Sequence, residues 1–289
     1  MRKPSFLRAA NENSPIYSDD DCDISAAGDL RKLRLLGRWR ESIARLASEY
    51  EIDALLASEN MGWISEDLDF LAQLPPLRWL SVAAREPIDW KQIQEARSIE
   101  TLLLHARGAE PSPIDFKRLA KLKSCTLTWW PAWRSIMECR QLECLTICGG
   151  QDRALDASKL TKLSEISLVQ CEVLRSIVWH TKARIRALKI SHCRSLAPDW
   201  GRLGRDLEYL WVEGRPSFNL DQLACAPALK TLIVSDIGKV SSLSVLTSLP
   251  SLREVKVLFA TKLSVSDRRL LEGLHSSNGL EFVIGLSPD

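Results

Sequence analysis

The sequence lacks most of what would name a chemistry. No apolar run of seven or more follows its Met-Arg-Lys-Pro start, so no secretory signal peptide is expected. No stretch approaches the ~20 apolar residues of a membrane span. There is no surplus of one charge: 39 basic residues against 37 acidic ones leave a formal +2, and nothing in that balance calls for nucleic acid or an acidic membrane. G-x-S-x-G, H-E-x-x-H and a lysine-bearing phosphate loop are all missing. Ile147-Cys148-Gly149-Gly150 supplies only two glycines and no Lys. The eight cysteines are scattered through a chain large enough to own a core, which argues for reduced thiols and a cytoplasmic protein.

What is present is a period. Leu207, Leu210 and Val212 form an L-x-x-L-x-L phrase, and Leu229, Leu232 and Val234 repeat it. The phrase also stands at Ile52/Leu55/Ala57, Leu77/Leu80/Val82, Ile99/Leu102/Leu104, Leu122/Cys125/Leu127 and Leu142/Leu145/Ile147. It continues at Leu163/Ile166/Leu168, Ile185/Leu188/Ile190, Leu252/Val255/Val257 and, more loosely, Leu280/Val283. Successive first positions differ by 25, 22, 23, 20, 21, 22, 22, 22, 23 and 28 residues. From about residue 52 onward the chain resembles the leucine-rich repeat family, whose units run ~20–29 residues.

That resemblance implies an α/β fold: a curved solenoid with a concave parallel sheet and helical or 3₁₀ segments on the convex side. Ile88–Ala96, Phe116–Leu122 and Leu243–Leu249 have the spacing for such return segments. Residues 1–28, polar and carrying the acidic run Asp19, Asp20, Asp21 and Asp23, read as a flexible tail. Residues 29–51 read as a capping helix, with Leu36, Trp39, Ile43, Leu46 and Tyr50 as its apolar stripe. The repeats then occupy 52–263. Residues 264–289 form the last cap, with Asp267 as the helix N-cap and a turn at Asn278-Gly279 before a strand at Leu280–Ile284.

The family places Asn, or sometimes Cys, three residues after the third apolar position. Here Asn60, Cys171 and Cys193 fit, while Arg85, Arg107, Trp130, Gly150, Arg215, Ile237 and Ala260 do not. Cys171 and Cys193 should stack about 5 Å apart, which permits a disulfide; the resemblance implies instead that each thiol bonds loop backbone. Cys139, Cys144 and Cys148 are spaced C-x4-C-x3-C, and four residues along a strand is about 13 Å, too far to share a zinc. No metal or other cofactor is expected. His105 and Cys148, two rungs or about 10 Å apart, are too distant for direct proton transfer, so an enzyme built on them is a remote alternative.

The free positions of each phrase should face away from the core. On that face we place the partner-binding set Trp79, Leu103, His105, Thr128, Trp129, Glu165, Lys189, Tyr209, Trp211, Glu213, Ile233, Glu254 and Lys256. Trp90, Trp133, Trp179 and Trp200 fall on return segments and belong to the core. Eleven strands at about 4.8 Å make a surface roughly 50 Å long, a scale that suits a protein better than a small molecule. The expected protein is a non-enzymatic, cytoplasmic binder, monomeric when free. Its favoured form is a stoichiometric inhibitor such as an immunity protein neutralising a toxin, as ribonuclease inhibitors of the family do by occupying an enzyme. An adaptor using the N-terminal tail is the alternative.

Overall fold

Apolar residues that alternate with free positions become strand wherever the repeated phrase occurs. The computed structural model describes residues 15–64, 67–240, 243–258, 265–278 and 280–285. The chain divides into two units, one built on residues 6–145 and 157–162, the other on 146–156 and 163–289.

The N-terminal unit opens with β1 (Pro15–Ser18), β2 (Cys22–Ala27) and β3 (Leu30–Leu35), which pair antiparallel in sequence order. After α1 (Glu41–Glu49) come β4 (Ala54–Ser58), β5 (Trp79–Ala84), β6 (Thr101–Ala106) and β7 (Ser124–Thr128), each parallel to its predecessor, with β4 parallel to β3. The register stacks Leu33, Leu55, Leu80, Leu102 and Cys125 in one buried row. Leu35, Ala57, Val82, Leu104 and Leu127 make a second. β8 (Cys144–Cys148) carries the phrase at the boundary of the two units in sequence.

In the C-terminal unit, β9 (Ala154–Ala157) and β11 (Ser176–Trp179) form a small separate sheet. The main strands are β10 (Glu165–Val169), β12 (Ala187–Ser191), β13 (Tyr209–Phe218), β14 (Thr231–Val240), β15 (Glu254–Leu258) and β16 (Glu281–Gly285), all parallel. Their inner rows are Ile166/Leu188/Leu210/Leu232/Val255/Phe282 and Leu168/Ile190/Val212/Val234/Val257/Ile284. Between strands run mostly 3₁₀ turns, at Trp90–Glu95, Phe116–Arg118, Pro131–Glu138, Leu220–Cys225 and Leu243–Ser248. A 3₁₀ turn rises ~2.0 Å per residue against 1.5 Å for an α-helix, so it returns a short repeat with fewer residues. Asp89, Asp115 and Asn219 start three of them by accepting the N–H two residues on. Trp90 and Trp133 are buried edge-to-face at 5.2 Å, and Trp179 and Trp200 are buried too. Each unit is thus a stack of leucine-rich repeats, a parallel sheet backed by 3₁₀ and short helical segments.

Both ends differ from expectation. Within the segment read as a flexible tail, residues 15–18 and 22–27 are strands, and Cys22 and Ile24 are fully buried; residues 1–14 lie outside the described ones. The helix expected over 29–50 is confined to Glu41–Glu49, because Leu30, Leu33 and Leu35 are themselves an L-x-x-L-x-L phrase, twenty-two residues before Ile52. The first cap is therefore a pair of antiparallel strands on an extra repeat. It satisfies the open edge of β3 with backbone hydrogen bonds that a helix lying across it could not supply. At the other end the helix Val265–Asn278 (α2) begins two residues before Asp267, so Asp267 is inside the helix and is not its N-cap; its carboxylate accepts the Leu243 N–H at 3.1 Å. Gly279 lies outside the described residues. In β16 it is Phe282, not Val283, that aligns with Val255, so Val283 faces outward and is 48% exposed.

Candidate functional site

The outward positions of the C-terminal unit form three ladders across six strands. Glu165, Ala187, Tyr209, Thr231, Glu254 and Glu281 make the first. Ser167, Lys189, Trp211, Ile233, Lys256 and Val283 make the second, and Val169, Ser191, Glu213, Ser235, Leu258 and Gly285 the third. Eight of the expected binding residues, Glu165, Lys189, Tyr209, Trp211, Glu213, Ile233, Glu254 and Lys256, thereby share one face. Val283 extends it, a residue the loose final phrase assigned to the core.

Side chains one strand apart lean on one another, and the hydrogen bonds show how this face is held. The Lys189 ammonium sits 3.7 Å from the Trp211 ring centroid, a cation–π contact. The Trp211 indole N–H donates to Ser235 Oγ at 3.2 Å, and Ser191 Oγ donates to the Glu213 carboxylate at 2.8 Å. Lys256 pairs with Glu254 at 2.6 Å on its own strand. Trp211 is thus a ring fixed at both its face and its edge while remaining partly exposed.

Two aromatics differ from expectation. Tyr209 is on the face but only 8% exposed, because neighbours on both sides flank its ring; burial and the Glu254 charge push its phenol well above the ordinary range. Trp129, one residue past β7, is 4% exposed and packs into the core rather than facing solvent. Ile233 is likewise largely covered, at 8%. The accessible part of the face is therefore Trp211 with its charged neighbours and Val283, not a row of open rings. On the N-terminal unit, Trp79, Leu103, His105 and Thr128 hold outward positions and are half-buried. His105 Nδ1 lies 3.4 Å from Thr128 Oγ1, and burial, with the nearby Arg107 charge, holds the imidazole below its usual range.

Several cysteines bond backbone carbonyls. Cys171 Sγ lies 3.1 Å from the Gly149 carbonyl and Cys193 Sγ 3.3 Å from that of Ser191, the loop-backbone bonding the resemblance implies. Cys139 donates to Phe116 O at 3.3 Å, and burial raises its thiol to about 12. Burial also raises the Cys148 thiol, against the pull of Lys189, which is the opposite of an activated nucleophile. Asn60, though of the expected type, bonds the Arg85 guanidinium instead of turn backbone. Trp130 and Arg215 do bond backbone at this repeat position, the indole to Ala106 O at 3.3 Å and the guanidinium to Leu196 O at 2.8 Å. At these four positions, Trp130, Cys171, Cys193 and Arg215, different side chains make the same kind of bond to backbone, which residue type alone conceals. Among the described residues no group of three His, Cys, Asp or Glu is placed to hold a metal, and no helix is long and apolar enough to cross a membrane.

No protein-family model and no curated protein matches the chain. Among solved structures it is similar to internalin C2 from Listeria monocytogenes, at 19% identity over 72% of this chain and 79% of that one, with a TM-score of 0.36. It is also similar to the functional domain of InlJ from Listeria monocytogenes, which includes a cysteine ladder. There the identity is 13% over 79% of this chain and 54% of that one, and the TM-score is 0.36. The fold assignment rests on the strand register and the repeat described above.

Proposed function

On the premise that the chain has a leucine-rich repeat fold, we propose that it is a non-catalytic protein-binding module. Its contact surface is the concave sheet face of the C-terminal unit, with Trp211 at its centre and Lys189, Glu213, Lys256 and Val283 on the same face. The observation that carries this reading is the immobilised, partly exposed indole. Trp loses little further freedom on binding when it is already held, and Trp is among the residues enriched at interface hot spots. The charged side chains on the same face, Lys189, Glu213 and the Lys256–Glu254 pair, match the polar rim that surrounds such anchors.

The specific form we favour is a stoichiometric inhibitor, such as an immunity protein that neutralises a toxin by covering it. The scattered cysteines, none of them disulfide-bonded, support a cytoplasmic site of action. An adaptor working through residues 1–28 has less chain to offer, since 15–18 and 22–27 are used as cap strands.

Affinity capture from native cells with wild type beside Trp211→Ala tests the surface, after circular dichroism establishes that the variant is folded. Loss of a hot-spot ring of about 2 kcal/mol should weaken the captured partner some 30-fold. Undiminished capture would remove this face from consideration. The partner's activity with and without equimolar protein then separates an inhibitor from a scaffold.

A further inference from the structure

The N-terminal unit carries a second feature, at the C-terminal ends of β4, β5 and β6. There a cavity of about 230 Å³ opens on the sheet face. The hydroxyls of Ser58 and Ser81 line it, Leu56 and the 46% exposed Met61 supply apolar wall, and His105 stands on β6. Arg85 and Arg107 rim it where the chain leaves β5 and β6.

The two arginines occupy the same position in adjacent repeats, twenty-two residues apart. They are locked side by side by the Arg107 N–H, which donates to Ala84 O at 3.0 Å. Gly108 follows at φ +101°, with a Cβ position only 3.0 Å from Arg85 O. Glycine is what lets the backbone pass that closely in that conformation. Arg85 is oriented from behind: Asn60 Oδ1 accepts from its guanidinium at 2.6 Å, and the Glu59 carboxylate accepts from its backbone N–H. Among the described residues Arg107 has no carboxylate partner. Two guanidinium groups one strand apart repel unless an anion lies between them.

We propose that this cavity takes the carboxylate of an Asp or Glu side chain presented by an acidic segment of a partner protein. Its size falls below the ~300–1,000 Å³ that encloses a small molecule, so it fits one side chain rather than a metabolite. The charged fork of Arg107, aided by Arg85, matches a carboxylate in two-point geometry. The serine hydroxyls add neutral donors, and Leu56 and Met61 receive the methylenes. The Glu59 carboxylate at the rim favours a monoanion over the dianion of a phosphate. No residue is shared with the Trp211 face, so either surface can fail without the other.

His105 is the reporter. The charged groups around it are Arg107, just past the end of its strand, with Arg85 and Glu59 across the cavity, and Thr128 bonds its ring from β7. The full chain, its His105 resonance assigned through His105→Gln, is titrated with acetyl-Ala-Glu-Ala-amide and with its Gln and phosphoserine counterparts. The expected result is a saturable His105 shift with the Glu peptide and a rise in the imidazole pKa, as the bound carboxylate offsets Arg107. The shift should be lost in Arg107→Gln, a substitution at an exposed side chain that leaves the core intact. No saturable shift, an equal shift from the Gln peptide, or an unchanged response in Arg107→Gln would overturn the proposal. Tighter binding of the phosphoserine peptide would overturn the choice of carboxylate.

Discussion

At the scale of single residues, a left-handed backbone position that recurs from repeat to repeat in the C-terminal unit is the most exacting feature. Gly149, Gln170, His192, Gly214 and Asp236 all take positive φ there, between 47° and 73°, at intervals of 21 or 22 residues. Five repeats thus make the same turn, and the strain at Gln170 and His192 is held by backbone hydrogen bonds to the next repeat. Gln170 N–H donates to Ser191 O at 2.8 Å and His192 N–H to Glu213 O at 3.0 Å. At Gly214 a Cβ would collide with the His192 ring. Gly214→Ala should therefore cost about 1–3 kcal/mol, more than conformation alone. A urea midpoint equal to wild type would show that the ring simply moves aside.

His105 makes a pH prediction. Its imidazole is held below the ordinary value, first by burial and then by Arg107. The unfolded chain then binds the proton more readily, so its contribution to stability is complete above the unfolded pKa of ~6.5 and is lost as pH falls towards the folded pKa. Stability measured by urea unfolding between about pH 7 and pH 5 should fall less steeply for His105→Gln than for wild type. Parallel curves would mean that the ring is as well solvated folded as unfolded.

Among elements, β1 and β2 bear the heaviest duty. A parallel stack of repeats ends in a strand whose backbone groups have no partner, and that edge invites a second chain. Here β2 pairs with β3 along its whole length, from Cys22↔Leu35 to Ala27↔Leu30, and the Arg34–Asp23 ion pair at 2.9 Å crosses the same two strands. Deleting residues 1–28 should leave the later repeats folded yet produce concentration-dependent association, read by sedimentation velocity. A monomeric, equally stable truncation would mean that β3 is protected by something else. In the returning layer, Trp133 is fully buried, its indole donating to Ser112 O at 3.1 Å. Trp133→Ala should cost about 3–5 kcal/mol in thermal or urea unfolding, since it leaves both a cavity and an unpaired carbonyl.

At the scale of the whole molecule, each repeat gains its core from its neighbours, so stability accumulates rung by rung. Charged ladders run beside the strands on the same logic. Arg78 lies 3.8 Å from Glu100, which pairs with Lys123 at 3.1 Å, and Lys230 pairs with Glu208 at 2.6 Å in the other unit. All are partly exposed, so they keep neighbouring repeats in register more than they stabilise them. Function at this scale is a matter of surface, and adding salt should weaken carboxylate capture at Arg107 more than contact at Trp211. Affinities of the two single variants compared across ionic strength would check that ordering; an equal salt response from both faces would refute it.

The sequence by itself determined the repeat, because a period of about 22 residues with two buried rows admits one economical packing, strand beside parallel strand. It also determined which residues alternate outward, since that follows from the pleat. Even the missed first repeat was legible at Leu30, Leu33 and Leu35, masked by the charges between them and by a helical stripe that overlaps its end. Only the tertiary structure decided how open those outward residues are. Tyr209 and Ile233 are covered by neighbours from other repeats, and Trp129 turns into the core one residue beyond its strand. The register of β16, which brings Val283 to the surface, depends on pairing with β15 rather than on local pattern. The arginine-rimmed cavity likewise joins residues from three repeats. Alternation is a local property of the backbone, whereas exposure is set by what lies one strand away.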